Sequence, residues 1–161
     1  MTKEVFKTLF DLYFDDIRRY LYYRCGDTDI STDLAQETFM RVWEKQMDLL
    51  PGKDTGLLYK IAGNLFVSHM RREKLRREAP GLIRFEQRDS NPEDELQYKE
   101  LQEKYEKALA KLSKAQRIAF LMSRTEELSY QEIATRLSIS VKAVEKRITG
   151  ALSRLRKELK N

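Results

Sequence analysis

Residues 129–148 read SYQEIATRLSISVKAVEKRI, and their pattern predicts two short helices joined by a tight turn. Ser129 and Glu132 have the spacing of a capping box, in which each side chain bonds a backbone N–H group at the helix start. Ser138 occupies the turn position that often holds glycine. The apolar residues expected between the two helices are Ile133, Ala134, Leu137, Ile139, Val144 and Ile148. This pattern is typical of a helix-turn-helix, whose second helix lies in the major groove of DNA.

The composition of the whole chain favours an all-α protein. Of 161 residues, 41% are hydrophobic and 35% charged, while there are only six glycines and three prolines. A chain of this length forms one ordinary domain or two small ones. The net charge of +5 permits a nucleic-acid partner without requiring one, because modest basicity is common.

Several functional classes are disfavoured by the residues available. Cys25 is the single cysteine and His69 the single histidine, so we expect no internal disulfide and no Cys/His zinc site. The sequence contains no P-loop, no Ser/His/Asp set and no distinctive pair of carboxylates, and we therefore expect neither an enzyme nor a bound cofactor or metal. No signal peptide and no long apolar run is recognisable, which predicts a cytoplasmic protein.

The first two predicted helices share an apolar, aromatic-rich core. Gly26 and Asp27 are expected to end the first helix, and Ser31 to cap a second helix over residues 31–47. The first helix contributes Phe6, Leu9, Phe10, Tyr13, Ile17, Tyr20 and Leu21 at helical spacing. The second helix presents Asp33, Gln36, Glu37, Arg41 and Glu44 on one polar face. On spacing alone this face is either simply solvated or a binding surface.

A third helix is expected after the loop that contains Pro51 and Gly52, beginning near Leu57. Its predicted core residues are Leu58, Ile61, Ala62, Leu65 and Met70. Its far end is strongly basic, with Arg71, Arg72, Lys74, Arg76 and Arg77. These cations suit contact with nucleic-acid phosphates, but they also suit the negative end of a helix dipole, and both interpretations remain open.

Turn-forming residues over 79–91 predict a flexible linker between two domains, residues 1–78 and 92–161. A fourth helix is expected to begin at Asn91 and Pro92, and a fifth at the capping box of Ser113 and Gln116. The fourth helix carries the apolar stripe Leu96, Leu101, Tyr105, Leu109 and Leu112. The fifth is expected to pack Ile118, Ala119, Leu121 and Met122 under the helix-turn-helix. The last carries Val141, Val144, Ile148, Ala151, Leu152, Leu155 and Leu159.

Three stretches, in order along the chain, resemble bacterial RNA polymerase sigma factors of the extracytoplasmic function (ECF) group. DLAQETFMRVWEK, residues 33–45, resembles region 2.2, and LLYKIAGNLFVSHMRREKLRRE, residues 57–78, resembles regions 2.3 and 2.4. LSYQEIATRLSISVKAVEKRITGALSRLRKEL, residues 128–159, resembles region 4.2. Leu57, Gly63 and Ser68 depart from the family, which commonly has Trp, Arg and Asp at these positions.

The resemblance implies a sigma-two helical bundle and a sigma-four helix-turn-helix domain that direct promoter-specific initiation by core RNA polymerase. It implies contacts with the β′ clamp helices and the β flap, and Asp33, Gln36, Glu37 and Arg41 would bind the clamp helices. It also implies an anti-sigma factor as a partner, because this group is commonly held inactive by one. The two domains could be splayed or packed together, and we expect a compact form to bury one or both DNA surfaces.

The resemblance also implies two contacts with promoter DNA. The minus-ten element would be read as a single strand by Lys53, Lys60, Asn64, His69, Arg71 and Arg72. The minus-thirty-five element would be read as duplex by Lys142, Glu145, Lys146 and Thr149. Arg147 and Tyr130 would hold the DNA backbone.

The residues leave one rival interpretation open, which is second to the sigma factor. A conventional regulator would bind palindromic operators through its C-terminal domain and use its N-terminal domain to dimerise or sense a ligand, without polymerase. A small hydrolase or metal enzyme is disfavoured because the sole histidine and sole cysteine are far apart in sequence. Two basic patches, at the third helix and the last helix, favour the sigma factor, because a simple regulator needs only one.

Overall fold

The computed structural model describes residues 1–76 and 95–160, with side chains over 1–74 and 99–160. Helices and connecting turns make up these ranges, and no β-strand occurs within them. The helices are α1 (Lys3–Cys25), α2 (Thr28–Glu44), α3 (Thr55–Arg76), α4 (Glu95–Lys111), α5 (Lys114–Arg124), α6 (Tyr130–Leu137) and α7 (Val141–Lys160). The predicted all-α class is therefore confirmed. The predicted linker, residues 79–91, and the predicted start of the fourth helix lie outside the described residues.

The first three helices form a bundle around α1. Phe39 of α2 packs edge-on against Phe10 of α1, with ring centroids 5.2 Å apart, and Trp43 lies 5.1 Å from Phe6. The buried side chains of this bundle include Leu9, Ile17, Leu21, Leu34, Val42, Leu58, Ala62, Leu65 and Phe66. Since this face of α2 is buried, its polar face points away from the bundle.

The predicted start of α2 is wrong by three residues. Asp27, not Ser31, caps the helix, because an Asp27 carboxylate oxygen accepts a hydrogen bond from the Ile30 N–H at 3.1 Å. Ser31 is instead buried inside the first turns and donates its hydroxyl to the Asp27 carbonyl at 2.6 Å. The helix ends at Glu44 rather than residue 47, and Gln46 just beyond it has a left-handed φ of 49°.

Two expectations for α3 also need correction. The helix begins at Thr55 rather than near Leu57. Met70, predicted as a core residue, is 40% exposed, whereas Tyr59 and Phe66 are buried. An apolar residue at helical spacing is not buried when no other element covers its side of the helix.

The second half of the chain is organised around α5. Its predicted capping box is present, with Ser113 Oγ accepting from the Gln116 N–H at 3.2 Å. Ile118, Ala119, Leu121 and Met122 are buried against the helix-turn-helix, as predicted. The prediction that Leu101, Leu152 and Leu159 belong to the core is wrong, since these residues are 64%, 40% and 36% exposed to solvent.

The two halves pack together, α5 against α1 and α6 against α3. Arg117 of α5 is 1% exposed and reaches across the contact to the end of α1. Its Nε donates to the Tyr23 carbonyl at 2.7 Å and its Nη2 to the Arg24 carbonyl at 3.0 Å. The last carbonyls of a helix have no partner within the helix and lie at its negative end. A single arginine of α5 therefore pairs two of the last carbonyls of α1.

Candidate functional site

The helix-turn-helix has the predicted local geometry. Ser129 Oγ accepts from the Glu132 N–H at 3.1 Å, and Glu132 Oε1 accepts from the Ser129 N–H at 3.3 Å. Ser138 ends α6 in the left-handed conformation, with φ 56° and ψ 45°. Ile133 of α6 and Val144 of α7 are fully buried. The two helices are thus held together by apolar contact with a tight turn between them.

The outer face of α7 carries the residues predicted to read duplex DNA. Lys142, Glu145, Lys146 and Thr149 are all exposed and fall within about a third of the helix circumference at 3.6 residues per turn. Arg147 lies to one side and is partly buried, while Tyr130 is 38% exposed at the start of α6. The structure therefore brings together the four proposed base-reading residues of α7.

Three of the predicted single-strand contacts share one face of α3. Lys60, Asn64 and Arg71 are exposed and recur at helical spacing. Arg72 is exposed beside them, with its Nε donating to the Ser68 carbonyl at 3.4 Å. Lys60 and Arg71 lie about three turns apart on this face, with Arg72 next to Arg71, and this spread of positive charge suits contact with a nucleic-acid backbone.

His69 does not join this face. At 100° per residue its side chain leaves α3 on the side opposite Lys60 and Asn64. Its Nε2 is buried and has no hydrogen-bond partner among the residues that the structure describes. His69 is therefore separated from Lys60, Asn64 and Arg71.

Lys53 lies on the loop before α3. This loop is attached to α1 through Tyr13, a contact that the sequence analysis did not predict. The Gly52 N–H donates to the Tyr13 hydroxyl at 2.6 Å, and Gly52 has a φ of 82° that favours glycine. Asp54 Oδ2 accepts from the Leu50 N–H at 2.8 Å and closes the loop. Tyr13 appeared only as a core aromatic, because no sequence signal indicates a bond to a residue so distant in the chain.

The structure gives a physical reason for Gly63. A Cβ at this position would lie 3.1 Å from both Arg24 Nη1 and the Tyr20 hydroxyl. The Arg24 guanidinium donates to that hydroxyl and lies 4.5 Å from the Phe66 ring centroid. Glycine therefore leaves room for a cation of α1 to pack against α3.

The polar face of α2 is exposed, as a docking surface requires. Asp33, Gln36 and Arg41 are exposed, and partly exposed Glu37 lies 3.9 Å from Arg41. An ion pair of this kind on the surface contributes little to stability. Met40, which the sequence analysis did not select, lies among these residues and is 58% exposed. An apolar residue inside an otherwise polar helix face is a sequence pattern that could have identified Met40 as part of a binding surface.

The expectation that a compact form buries a DNA surface is wrong for these residues. With the two halves in contact, Lys60, Asn64, Arg71, Lys142 and Lys146 all remain exposed. The contact instead uses the inner side of α6, where Arg136 Nη1 donates to the Tyr59 hydroxyl at 3.2 Å. Burial raises the pKa of Tyr59 well above its usual value, so the hydroxyl is neutral.

Cys25 lies outside these proposed contact faces. Burial raises the pKa of the Cys25 thiol, which disfavours the nucleophilic thiolate. No group of three or more potential metal ligands occurs within residues 1–76 and 95–160. Among the helices described here, none is long and apolar enough to cross a membrane.

Comparison with known proteins places both halves in one family. The family pattern of sigma-70 region 2 matches residues 9–76, and that of sigma-70 region 4 matches residues 102–155. The chain is 33% identical over 145 residues to the ECF sigma factor SigE of Mycolicibacterium smegmatis, covering 88% of this chain and 56% of that protein. It is 29% identical over 170 residues to SigW of Bacillus subtilis, covering 99% and 91%.

A solved structure with the same arrangement of helices is the sigma factor RpoE of Bartonella quintana, crystallised with the anti-sigma factor NepR. The TM-score is 0.64 at 26% sequence identity, over 96% of each chain. Matches to two sigma regions in order, with relatives over nearly the full chain, agree with the resemblance seen in the sequence. The chain therefore belongs to the sigma-70 family, in the ECF group of sigma factors that direct RNA polymerase to promoters.

Proposed function

We propose that this chain binds core RNA polymerase and directs promoter-specific initiation by reading a minus-ten and a minus-thirty-five element. The observation that supports this most is the presence of three separate exposed faces, on α2, α3 and α7, on one chain. A regulator that acts on duplex operators alone needs only the face of α7. The cytoplasm, where polymerase works, is the compartment that we propose.

The docking face for the β′ clamp helices is the polar side of α2. Asp33, Gln36, Glu37 and Arg41 supply charge and hydrogen bonds around the exposed Met40. An apolar side chain surrounded by polar groups is the usual composition of a protein interface. The β flap is proposed as the polymerase contact of the second domain, residues 92–161.

The minus-ten strand runs along α3 and the loop before it. Lys60, Arg71, Arg72 and Lys53 contact phosphates, and Asn64 can pair with a base edge. The single-strand track is thus built on the first domain, residues 1–78. His69 is proposed to act indirectly, by packing behind this face, because its side chain points to the opposite side of α3.

The minus-thirty-five duplex lies against α7. Lys142 and Lys146 can donate to guanine acceptors or phosphates, Glu145 can accept from a cytosine amino group, and Thr149 can contact a thymine methyl. Tyr130 and Arg147, at the edges of this face, contact the backbone. An anti-sigma factor is a further proposed partner, supported by the similarity to a sigma factor crystallised with one.

Reconstituted transcription tests this function. The pure chain is mixed with core polymerase and a library of promoter fragments, and transcripts are sequenced. We expect a co-eluting complex and starts downstream of a shared pair of elements. A folded protein that neither binds core polymerase nor yields transcripts would contradict the proposal, and palindromic sites bound without polymerase would favour a conventional regulator.

A further inference from the structure

We infer that Arg24 of α1 is a further contact for the minus-ten strand and binds a backbone phosphate beside the middle of α3. This inference rests on the proposed function and adds a residue of α1 to the proposed single-strand contacts. The basic face of α3 has a gap, because the helix carries no lysine or arginine between Lys60 and Arg71. At about 1.5 Å per residue, this gap is about 16 Å long.

The Arg24 side chain reaches α3 inside this gap. Its Nη1 donates to the Tyr20 hydroxyl at 3.1 Å, and its Cζ lies 4.5 Å from the centroid of the Phe66 ring. Gly63 leaves the space for it, since a Cβ at that position would lie 3.1 Å from the same Nη1. Gly63 follows Lys60 by three residues, so the two positions are neighbours on the helix surface. The charge of Arg24 therefore lies in the gap that follows Lys60.

No acidic side chain of the described residues neutralises this charge. Arg24 forms no ion pair with a carboxylate of residues 1–74 or 99–160, and its buried Nε has no hydrogen-bond partner there. A second cation, Lys114 Nζ, lies 5.6 Å from the Phe66 centroid. Burial and the positive charges of Arg24 and Arg117 lower the pKa of Lys114. Since Arg24 is only partly buried, its uncompensated charge attracts anions such as backbone phosphates.

Exposed apolar side chains continue this side of α3 beyond Gly63. Val67 and Met70 follow it at spacings of four and seven residues and are 37% and 40% exposed. Lys60 and Lys74, both exposed, lie at the two ends of the row. An unstacked base packs against apolar side chains, while its phosphate binds a cation. Two lysines with the α1 guanidinium between them match the repeated charges of a strand better than the single carboxylate of a protein partner.

Salt dependence tests a phosphate contact directly. The complex of the full chain with core polymerase is titrated with a labelled single strand that carries the minus-ten element mapped by reconstituted transcription. Arg24→Gln removes the charge, and we expect the slope of log affinity against log salt concentration to fall by about 0.7, as for one phosphate contact on a single strand. Arg24→Lys keeps the charge and should keep the slope. Arg18→Gln, which removes a cation of α1 that lies beside Asp15, is the matched control.

A second measurement locates the phosphate. Each linkage of the strand is replaced in turn by an uncharged methylphosphonate. With the wild-type chain, one linkage should lose about twofold to fivefold in affinity on replacement, and this loss should be absent with Arg24→Gln. Arg24→Met, which keeps an apolar contact with the Phe66 ring, is the second neutral variant in case the glutamine protein does not fold.

A folded neutral variant with the wild-type salt slope overturns the contact, as do methylphosphonate losses that are the same with and without the Arg24 charge. Equal loss of thermal stability in the neutral and lysine variants, with wild-type slopes in both, would leave Arg24 a structural role only. Weaker binding to core polymerase with unchanged strand binding would assign Arg24 to a protein partner instead, which also overturns the inference. If the wild-type chain neither joins core polymerase nor binds the strand, the proposed function itself fails.

Discussion

Arg117 Nε lies 2.7 Å from the Tyr23 carbonyl, joining two residues that are 94 positions apart in the chain. The guanidinium also donates to the Arg24 carbonyl and, at 3.4 Å, to the Leu109 carbonyl. Burial and the nearby Arg24 lower the pKa of Arg117, but three carbonyl acceptors and the helix end offset the cost of burying its charge.

Removing this guanidinium should destabilise the protein. Arg117→Met keeps much of the side-chain volume but leaves buried carbonyls unpaired, and we expect a loss of about 2–4 kcal/mol in the free energy of unfolding. Chemical denaturation measures this loss. Arg124→Met, on the exposed side of the same helix, is the control and should change stability by less than about 0.5 kcal/mol. Equal stability of the two variants would contradict the role of Arg117.

Ser138 and Ser140 should respond in opposite ways to substitution. Ser138 has a left-handed φ of 56°, so Ser138→Gly should stabilise the protein by about 1 kcal/mol. Ser140 Oγ accepts from the Ala143 N–H at 3.0 Å at the start of α7, so Ser140→Ala should cost about 1 kcal/mol. Thermal unfolding of both variants checks the signs, and a destabilising glycine would show that the Ser138 side chain matters more than its backbone.

The face of α2 should control binding to core polymerase. Asp33→Ala with Gln36→Ala should weaken the complex by roughly tenfold, because polar partners at the interface are left unpaired. Asp11→Ala, which removes an exposed carboxylate of α1 outside this face, is the control. Binding is measured by titrating labelled protein with core polymerase, while circular dichroism confirms the fold. Unchanged affinity of the double variant would exclude this face as the docking surface.

The outer face of α7 should control promoter choice. Glu145→Ala and Lys146→Ala should each change which minus-thirty-five sequences are used, at a cost of about 1–3 kcal/mol for the preferred base. Transcription from a library randomised at that element measures the preference. Lys157→Ala, exposed further along α7, is the control. A uniform loss over all promoters would instead assign the altered residue to phosphate contacts.

Two buried tyrosines, Tyr23 and Tyr59, should lose their phenolic protons at a higher pH than an ordinary tyrosine. Burial, assisted by the charge of Glu126, raises the pKa of Tyr23, and burial likewise raises that of Tyr59, whereas unfolded tyrosine titrates near pH 10. The unfolded chain therefore releases these protons first. The stabilising contribution is complete below about pH 10 and is lost as the pH rises towards the native pKa values. Stability should fall in that alkaline range.

Phenolate absorbance during an alkaline titration measures this order of release. Tyr59→Phe should remove amplitude from the late phase. A single phase for all eight tyrosines would contradict the burial of Tyr23 and Tyr59.

The sequence alone determined the local structure of this protein. The capping boxes at Ser113 and Ser129, the turn at Ser138 and the apolar face of α5 are all as predicted, because each depends on groups within a few residues. Helical periodicity likewise predicted that Asp33 and Lys146 lie on polar faces, and both are exposed. Where neighbouring residues compete for one role the local pattern failed, as when Asp27 rather than Ser31 capped α2.

Tertiary structure alone decided how the two halves meet. Whether Leu101 or Met70 is buried depends on which helix lies opposite, and the pairing of Arg117 with Tyr23 or Arg136 with Asp16 depends on groups that are distant in sequence. Helical periodicity specifies which residues share a face, but not what covers that face. The physical reason is that α-helical hydrogen bonds are local, whereas the contacts between the two halves are made only after the chain has folded back on itself.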